Sequence, residues 1–158
     1  MANMAVIKGV TLKGVKNFTG HEGYGIEATI YLDGKKAGRY FDSADGGEPD
    51  IDFQSAELEK EAQKRAAAFF AQYPHKYTGL DTFLCILSDF IGTEKEYKKH
   101  AKKGHEIMIV QNGLIDSDVV SQKIFTAPKN ISAERINKCK EQIINACVYT
   151  SLDDFIIA

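Results

Sequence analysis

The segment from Asp42 to Asp52 concentrates carboxylates among glycines and a proline. Carboxylate oxygens on a loop are the ligands that calcium prefers, so metal binding is the chemistry this composition suggests first. The calcium-loop template fails, however, because Ala44 and Gly46 replace two ligands and Phe53 replaces the closing glutamate. We therefore expect no metal site. We interpret the segment, called here the acidic loop, as exposed chain at which recognition can occur.

Arg39 lies on the strand that precedes the acidic loop. If Asp33 and Gly34 form a two-residue hairpin turn, Arg39 falls opposite Ala28, on the apolar face of the sheet. Such an arginine either extends to solvent at the sheet edge or contacts a partner. The second interpretation predicts a partner-binding surface that joins this strand to the acidic loop. Its predicted residues are Arg39, Asp42, Asp45, Glu48 and Asp50.

A second candidate surface is basic and lies between Lys95 and His105. Lysines contact phosphates, so this segment predicts a nucleic-acid-binding or nucleotide-binding patch. The alternative is a solvated face at the end of a helix, where the helix dipole favours cations. Single-strand binders also expose aromatic side chains that stack on bases, and only Tyr97 is interleaved here. The predicted nucleic-acid-binding residues are Lys95, Lys98, Lys99, Lys102 and Lys103.

Catalytic patterns are few in this chain. His21 and Glu22 lie in a glycine-flanked loop, where His21 could form an acid–base pair with a carboxylate of the acidic loop. The sequence contains no HExxH zinc motif, no GxSxG nucleophile elbow and no GxGxxG or phosphate-loop lysine. We therefore expect a binding protein rather than an enzyme, with no catalytic residue, no metal and no cofactor.

Composition indicates one globular domain spanning residues 1–158, with a formal net charge of -2 and 44% hydrophobic residues. Three cysteines without a CxxC pair lie in apolar helical patterns, which predicts that they are buried and reduced. The N-terminal apolar run is too short for a signal peptide, and no run approaches the length of a membrane helix. These features predict a cytoplasmic protein without a membrane partner, and they set no oligomeric state.

The elements that must position these residues follow from hydrophobic periodicity. Ile26, Ala28 and Ile30 alternate with polar residues before the turn at Asp33 and Gly34, which predicts an N-terminal antiparallel β-meander. Apolar stripes predict helices over 55–73, 79–91 and 93–103, with Thr93 and Glu96 as a capping box for the third.

The rest of the chain predicts a second β-hairpin and a last helix. The hairpin joins strands at 107–110 and 119–125 through Asn112 and Gly113, and the C-terminal helix covers 132–148. Because strands and helices segregate along the chain instead of alternating, the predicted fold class is α+β with an antiparallel sheet.

The stretch KGVKNFTGHEGYGIEATIYLDGKKAG, followed by DSADGGEPDIDF, resembles small uncharacterised proteins of bacteriophages and mobile elements. The resemblance covers the first third of the chain and carries no activity or catalytic residue. It implies a cytoplasmic accessory protein that binds a host protein, such as an inhibitor of a defence system. The alternative hypotheses are a nucleic-acid or nucleotide binder that uses Lys95–His105, and a small enzyme that uses His21 with loop carboxylates.

Overall fold

The structure, a computed structural model, describes residues 3–111, 123–143 and 146–158 and has the predicted α+β fold. None of the helices within these ranges combines the length and hydropathy needed to cross a bilayer. The helices are α1 (Ala56–Gln72), α2 (Leu80–Ala101), α3 (Ala133–Gln142) and a short 3₁₀ helix (Leu152–Phe155). The strands are β1 (Val6–Ile7), β2 (Val10–Gly20), β3 (Gly23–Leu32), β4 (Lys35–Asp42), β5 (Asp50–Phe53), β6 (Ile107–Gln111), β7 (Ile124–Ala127), β8 (Ala146–Tyr149) and β9 (Ile156–Ile157).

The first sheet has the order β5-β4-β3-β2-β1-β9 and contains the predicted antiparallel meander. The turn between β3 and β4 is formed by Asp33 and Gly34, with φ values of 49° and 79°, as the sequence predicts. Both residues of such a turn need positive φ, which glycine adopts without a steric penalty. The guanidinium of Arg65 on α1 donates to both carboxylate oxygens of Asp33, at 2.9 and 2.6 Å. This contact fixes the turn against the helix and lowers the pKa of Asp33.

Two β-bulges change the register of this sheet. In β2 the pairing with β3 shifts between Lys13 and Lys16, where Gly14 and Val15 lie. In β4 a second shift makes Ala37 an extra residue, so Arg39 pairs with Thr29. The predicted pairing of Arg39 with Ala28 is therefore wrong. A one-residue insertion turns the following side chains to the other face, and the arginine faces solvent.

The predicted helices 79–91 and 93–103 are wrong as separate elements, because α2 runs through both segments without a break. Thr93 does not cap a helix, since its hydroxyl donates to the backbone carbonyl of Asp89 at 2.9 Å. The apolar stripe also continues past the supposed boundary, with Phe90, Ile91 and Tyr97 buried. A continuous stripe at helical spacing is a stronger signal than a capping pattern alone. Helix 55–73 is confirmed as α1, with Ser55 as its N-cap.

The C-terminal helix is shorter than predicted, since α3 ends at Gln142 and not at 148. Residues 146–149 instead form β8, which pairs with β6 and places Cys147 opposite Val110. The antiparallel pairing of the second hairpin is confirmed between β6 and β7. Its turn at Asn112 and Gly113, and residues 119–122 of the predicted return strand, lie outside the described residues.

One hydrophobic core contacts both sheets and the two long helices. Phe69 of α1 meets Phe83 of α2 edge to face, with ring centroids 5.6 Å apart. Farther along α2, Phe90 packs against Phe155, which stacks on Tyr149 of β8 at 4.5 Å. The core therefore holds α2 in place along its length, and with it every side chain that α2 presents to solvent.

We predict that Gly92→Ala stabilises the protein by about 0.5–1 kcal/mol, because alanine is favoured over glycine inside a helix. Gly92 is exposed, and an added Cβ meets no atom within 4 Å. Gly104→Ala is the matched comparison, because its Cβ is equally unobstructed but its φ of +85° strains any side chain. Urea unfolding should show opposite signs for the two variants. A destabilised Gly92→Ala protein would contradict a continuous helix.

Candidate functional site

The carboxyl-terminal half of α2 and the bulged part of β2 enclose a groove of about 740 Å³. All five lysines that the sequence predicts to contact phosphates line this groove, and a sixth comes from β2. Ile91 and Glu94 lie among them on α2. We call this feature the basic groove. Its lysines are Lys13, Lys95, Lys98, Lys99, Lys102 and Lys103.

Helical geometry explains how α2 presents its lysines together. Lys95, Lys99 and Lys102 are spaced by four and three residues, so they follow one stripe of the helix surface. The carboxyl end of a helix carries partial negative charge, which favours cations there. These lysines therefore suit the end of the helix even without a ligand. For this reason their sequence pattern alone does not distinguish a binding site from a solvated helix face.

The groove begins where the edge of β2 becomes uncovered. Both carboxylate oxygens of Glu94, which has no solvent exposure, accept hydrogen bonds from the backbone N–H of Met4, at 3.0 and 2.8 Å. The neighbouring Asn3 amide donates to the carbonyl of Leu12 at 3.2 Å. Among the described strands, β1 is the neighbour of β2 on this side and pairs with it only at Ile7 and Val10. From Lys13 onward the edge of β2 faces the groove.

The groove carries more positive charge than nearby acids neutralise. Lys98 lies 3.7 Å from Glu94. No ion pair within the described ranges involves Lys95, Lys99, Lys102 or Lys103. Like charges gathered in a groove attract an anionic ligand more strongly than the same charges dispersed over a surface.

Tyr97, the aromatic residue interleaved among the lysines, is buried and cannot stack on a base from solution. Its hydroxyl donates to the backbone carbonyl of Glu106 at 2.8 Å, and burial raises its pKa. Lys13 instead approaches another aromatic residue, with its ammonium 4.4 Å from the centroid of the Tyr31 ring. The position of Lys13 has no sequence signal, because only the folded chain brings β2 beside α2.

The acidic loop has a defined conformation. The buried Ala44, at φ 60°, donates its N–H to the Asp42 carboxylate at 2.9 Å and accepts from the N–H of Glu22 at 2.8 Å. Asp45, Glu48 and Asp50 are exposed. The ends of the predicted loop are strand residues, since Asp42 closes β4 and Asp50 opens β5, and the exposed carboxylates between them face solvent.

The structure separates the other residues of the predicted partner-binding surface. Arg39 bonds to Glu27 at 3.1 Å on the outer side of the sheet. Asp42 pairs with the core residue Ile26 and so lies on the opposite side. Asp50 pairs with Phe41 at the outer side. Arg39 and Asp42 therefore do not act together on one ligand surface.

The cysteines are free, as predicted, but they are not buried. Cys85 is exposed, while Cys139 and Cys147 are half-buried. Cys85 lies one residue beyond the buried Leu84 on α2, outside the stripe that enters the core. Partial desolvation, followed by the charges of Asp89, Asp42 and Asp81, raises the pKa of the Cys85 thiol to about 11. Solvent still reaches Cys85, so access does not limit its reactivity. The raised pKa of the thiol does, because it keeps the reactive thiolate scarce at neutral pH.

His21 is exposed at the turn between β2 and β3. No hydrogen bond or ion pair in the described part of the chain joins it to a carboxylate of the acidic loop. Within the same residues, no group of three or more histidines, cysteines and acids is arranged to hold a metal ion. Comparisons with protein families, curated proteins and solved structures gave no match.

We predict that iodoacetamide modifies Cys85 slowly at neutral pH despite its exposure, because the thiolate is the reactive form. The rate should rise about tenfold per pH unit up to about pH 11, where the thiol titrates. Peptide mass spectrometry after timed quenching measures the rate of Cys85 modification. Asp89→Asn removes one of the charges and should shift the profile to lower pH. A native rate that levels off near pH 9 would contradict the prediction.

Proposed function

We propose that this chain is a non-enzymatic binding protein whose basic groove accepts the phosphate backbone of a nucleic acid. One observation carries the proposal: six lysines from two elements far apart in sequence converge on one groove. A solvated helix face would need lysines only on the helix. Lys13 supplies a cation from the opposite wall, so an anion in the groove would meet positive charge on both sides.

The length of the basic groove favours a polymer over a single nucleotide. Lys95 lies on α2, and Lys102, the C-cap residue with helical dihedral angles, follows seven positions later, which is about 10 Å along the helix axis. A duplex strand places one phosphate about every 3.4 Å along its axis, so this stripe spans about three phosphates. Each neutralised phosphate releases counterions, so binding should weaken steeply with salt.

We predict that Lys99→Gln with Lys102→Gln weakens nucleic-acid binding and flattens its dependence on salt. Removing two phosphate contacts should reduce the slope of log K against log salt by roughly 1.4–1.8. Lys60→Gln with Lys64→Gln on α1 is the matched control, because those lysines are exposed and lie outside the groove. Fluorescence anisotropy with a labelled oligonucleotide across a salt series measures both variants. Equal effects of the two pairs would rule out the groove.

A second candidate function is protein binding through the acidic loop, and the exposure of Asp45, Glu48 and Asp50 beside the anchored Ala44 favours it. The partner would be a host protein with a basic surface in the cytoplasm, and inhibition of a defence protein is the form that the phage resemblance suggests. No contact favours the small-enzyme hypothesis, since none of those described joins His21 to a loop carboxylate.

We predict that replacing Asp45, Glu48 and Asp50 with their amides leaves the melting temperature nearly unchanged, because exposed charges contribute little to stability. The same variant should lose a basic protein partner in affinity capture. Glu134→Gln with Glu141→Gln, on the exposed surface of α3, controls for non-specific charge effects. Retention of every partner by the loop variant would exclude the loop from the interface.

A further inference from the structure

The first sheet has an outer face, opposite the core residues, that carries both aromatic and cationic side chains. Phe18 of β2 and Phe41 of β4 stack there with ring centroids 6.0 Å apart, and Phe18 is 37% exposed. Tyr31 of β3 lies on the same face beneath Lys13. Open sheet surfaces with aromatic side chains are a recurring platform on which nucleic-acid bases stack.

This outer face is continuous with the basic groove. Gly14, at the β2 bulge, lines the basic groove and also a second depression of about 560 Å³ on the sheet. That depression is bordered by the cations Lys16, Lys36 and Arg39 and by the acids Glu27 and Asp52. Gly14 has φ +62°, and an added Cβ would meet no atom within 4 Å, so the space beside this residue, which borders both depressions, is open.

The charges of the outer face are arranged unevenly. Glu27 is compensated by Arg39 at 3.1 Å. Asp52 on β5 pairs with Arg39 and lines the second depression, whereas Asp50 pairs with Phe41. The second depression therefore has three cations against two acids, a smaller excess of positive charge than the six lysines and one acid of the basic groove. A polyanion that extends from the groove past Gly14 would reach Lys16 of β2, and the net charge of the depression there is still positive.

We infer that the ligand is single-stranded nucleic acid, with phosphates in the basic groove and bases stacked on Phe18 and Tyr31. The inference rests on the proposed function and narrows it to one class of nucleic acid. Bases in a duplex are already stacked on one another, so only a single strand offers its base faces to these rings. The buried Tyr97 cannot serve this role within the groove.

The test compares three labelled ligands of about twelve nucleotides: oligothymidylate, an abasic strand with the same phosphates, and a duplex. The native protein should bind oligothymidylate at least about fivefold more tightly than the abasic strand, because base stacking adds to phosphate contacts. Phe18→Val with Tyr31→Val keeps residues that favour strands and should remove this preference, so that oligothymidylate and the abasic strand bind equally. Tyr77→Val, at an exposed aromatic outside both depressions, is the control.

Equal affinity of the native protein for oligothymidylate and the abasic strand, or tighter binding of the duplex, would overturn this inference and leave phosphate binding by the groove intact. Absence of binding to all three ligands at low salt would instead remove the proposed function and the inference together. The comparison of ligands uses the native protein, so it decides the matter even if the double variant fails to fold, which thermal unfolding would reveal.

Discussion

A buried carboxylate determines where the basic groove of this protein begins. Glu94 has no solvent exposure, and burial of such a group is unfavourable unless hydrogen bonds compensate for the lost water. The backbone N–H of Met4 and the nearby Lys98 provide that compensation. Because Met4 is held against α2, Asn3 reaches the edge of β2 at Leu12. The edge is covered up to this point, and the basic groove opens beyond it.

The same helix packs the core and presents the lysines. Phe83, Leu87 and Phe90 enter the core, while Lys95, Lys99 and Lys102 extend from the later turns. An interrupted helix would allow the two halves to reorient independently. A continuous one fixes the lysines relative to the sheet, because rigid elements hold a binding geometry more accurately than loops do. The bulge in β2 completes the arrangement by bringing Lys13 to the opposite wall.

Local sequence patterns predicted the elements well where one short-range preference dominates. The turn at Asp33 and Gly34 requires positive φ, which the residue pair itself indicates. The alternation of apolar and polar residues before the turn requires only that one face of the strand be buried. The same reasoning failed where two signals competed, as at Thr93, whose spacing from Glu96 suggested a helix start although the apolar stripe continued. It failed for Arg39 because nothing in the local pattern marks Ala37 as an inserted residue.

The lysines of α2 could also be identified in advance, because they lie close together in sequence. No local pattern shows that these lysines lie in one groove with Lys13. The position of Gly14 between the groove and the outer face of the sheet likewise depends on tertiary packing. The acidic and basic surfaces remain separate in the fold, so each can be tested without disturbing the other.

The most direct test of the central claim is a backbone amide NMR titration of the isotope-labelled protein with a short single-stranded oligonucleotide. The account predicts that the amide signals of Gly14 and of α2 around Lys99 shift together, with one apparent affinity that weakens as salt is added. Shifts confined to the acidic loop or to α1, or a spectrum that does not change at low salt, would contradict it.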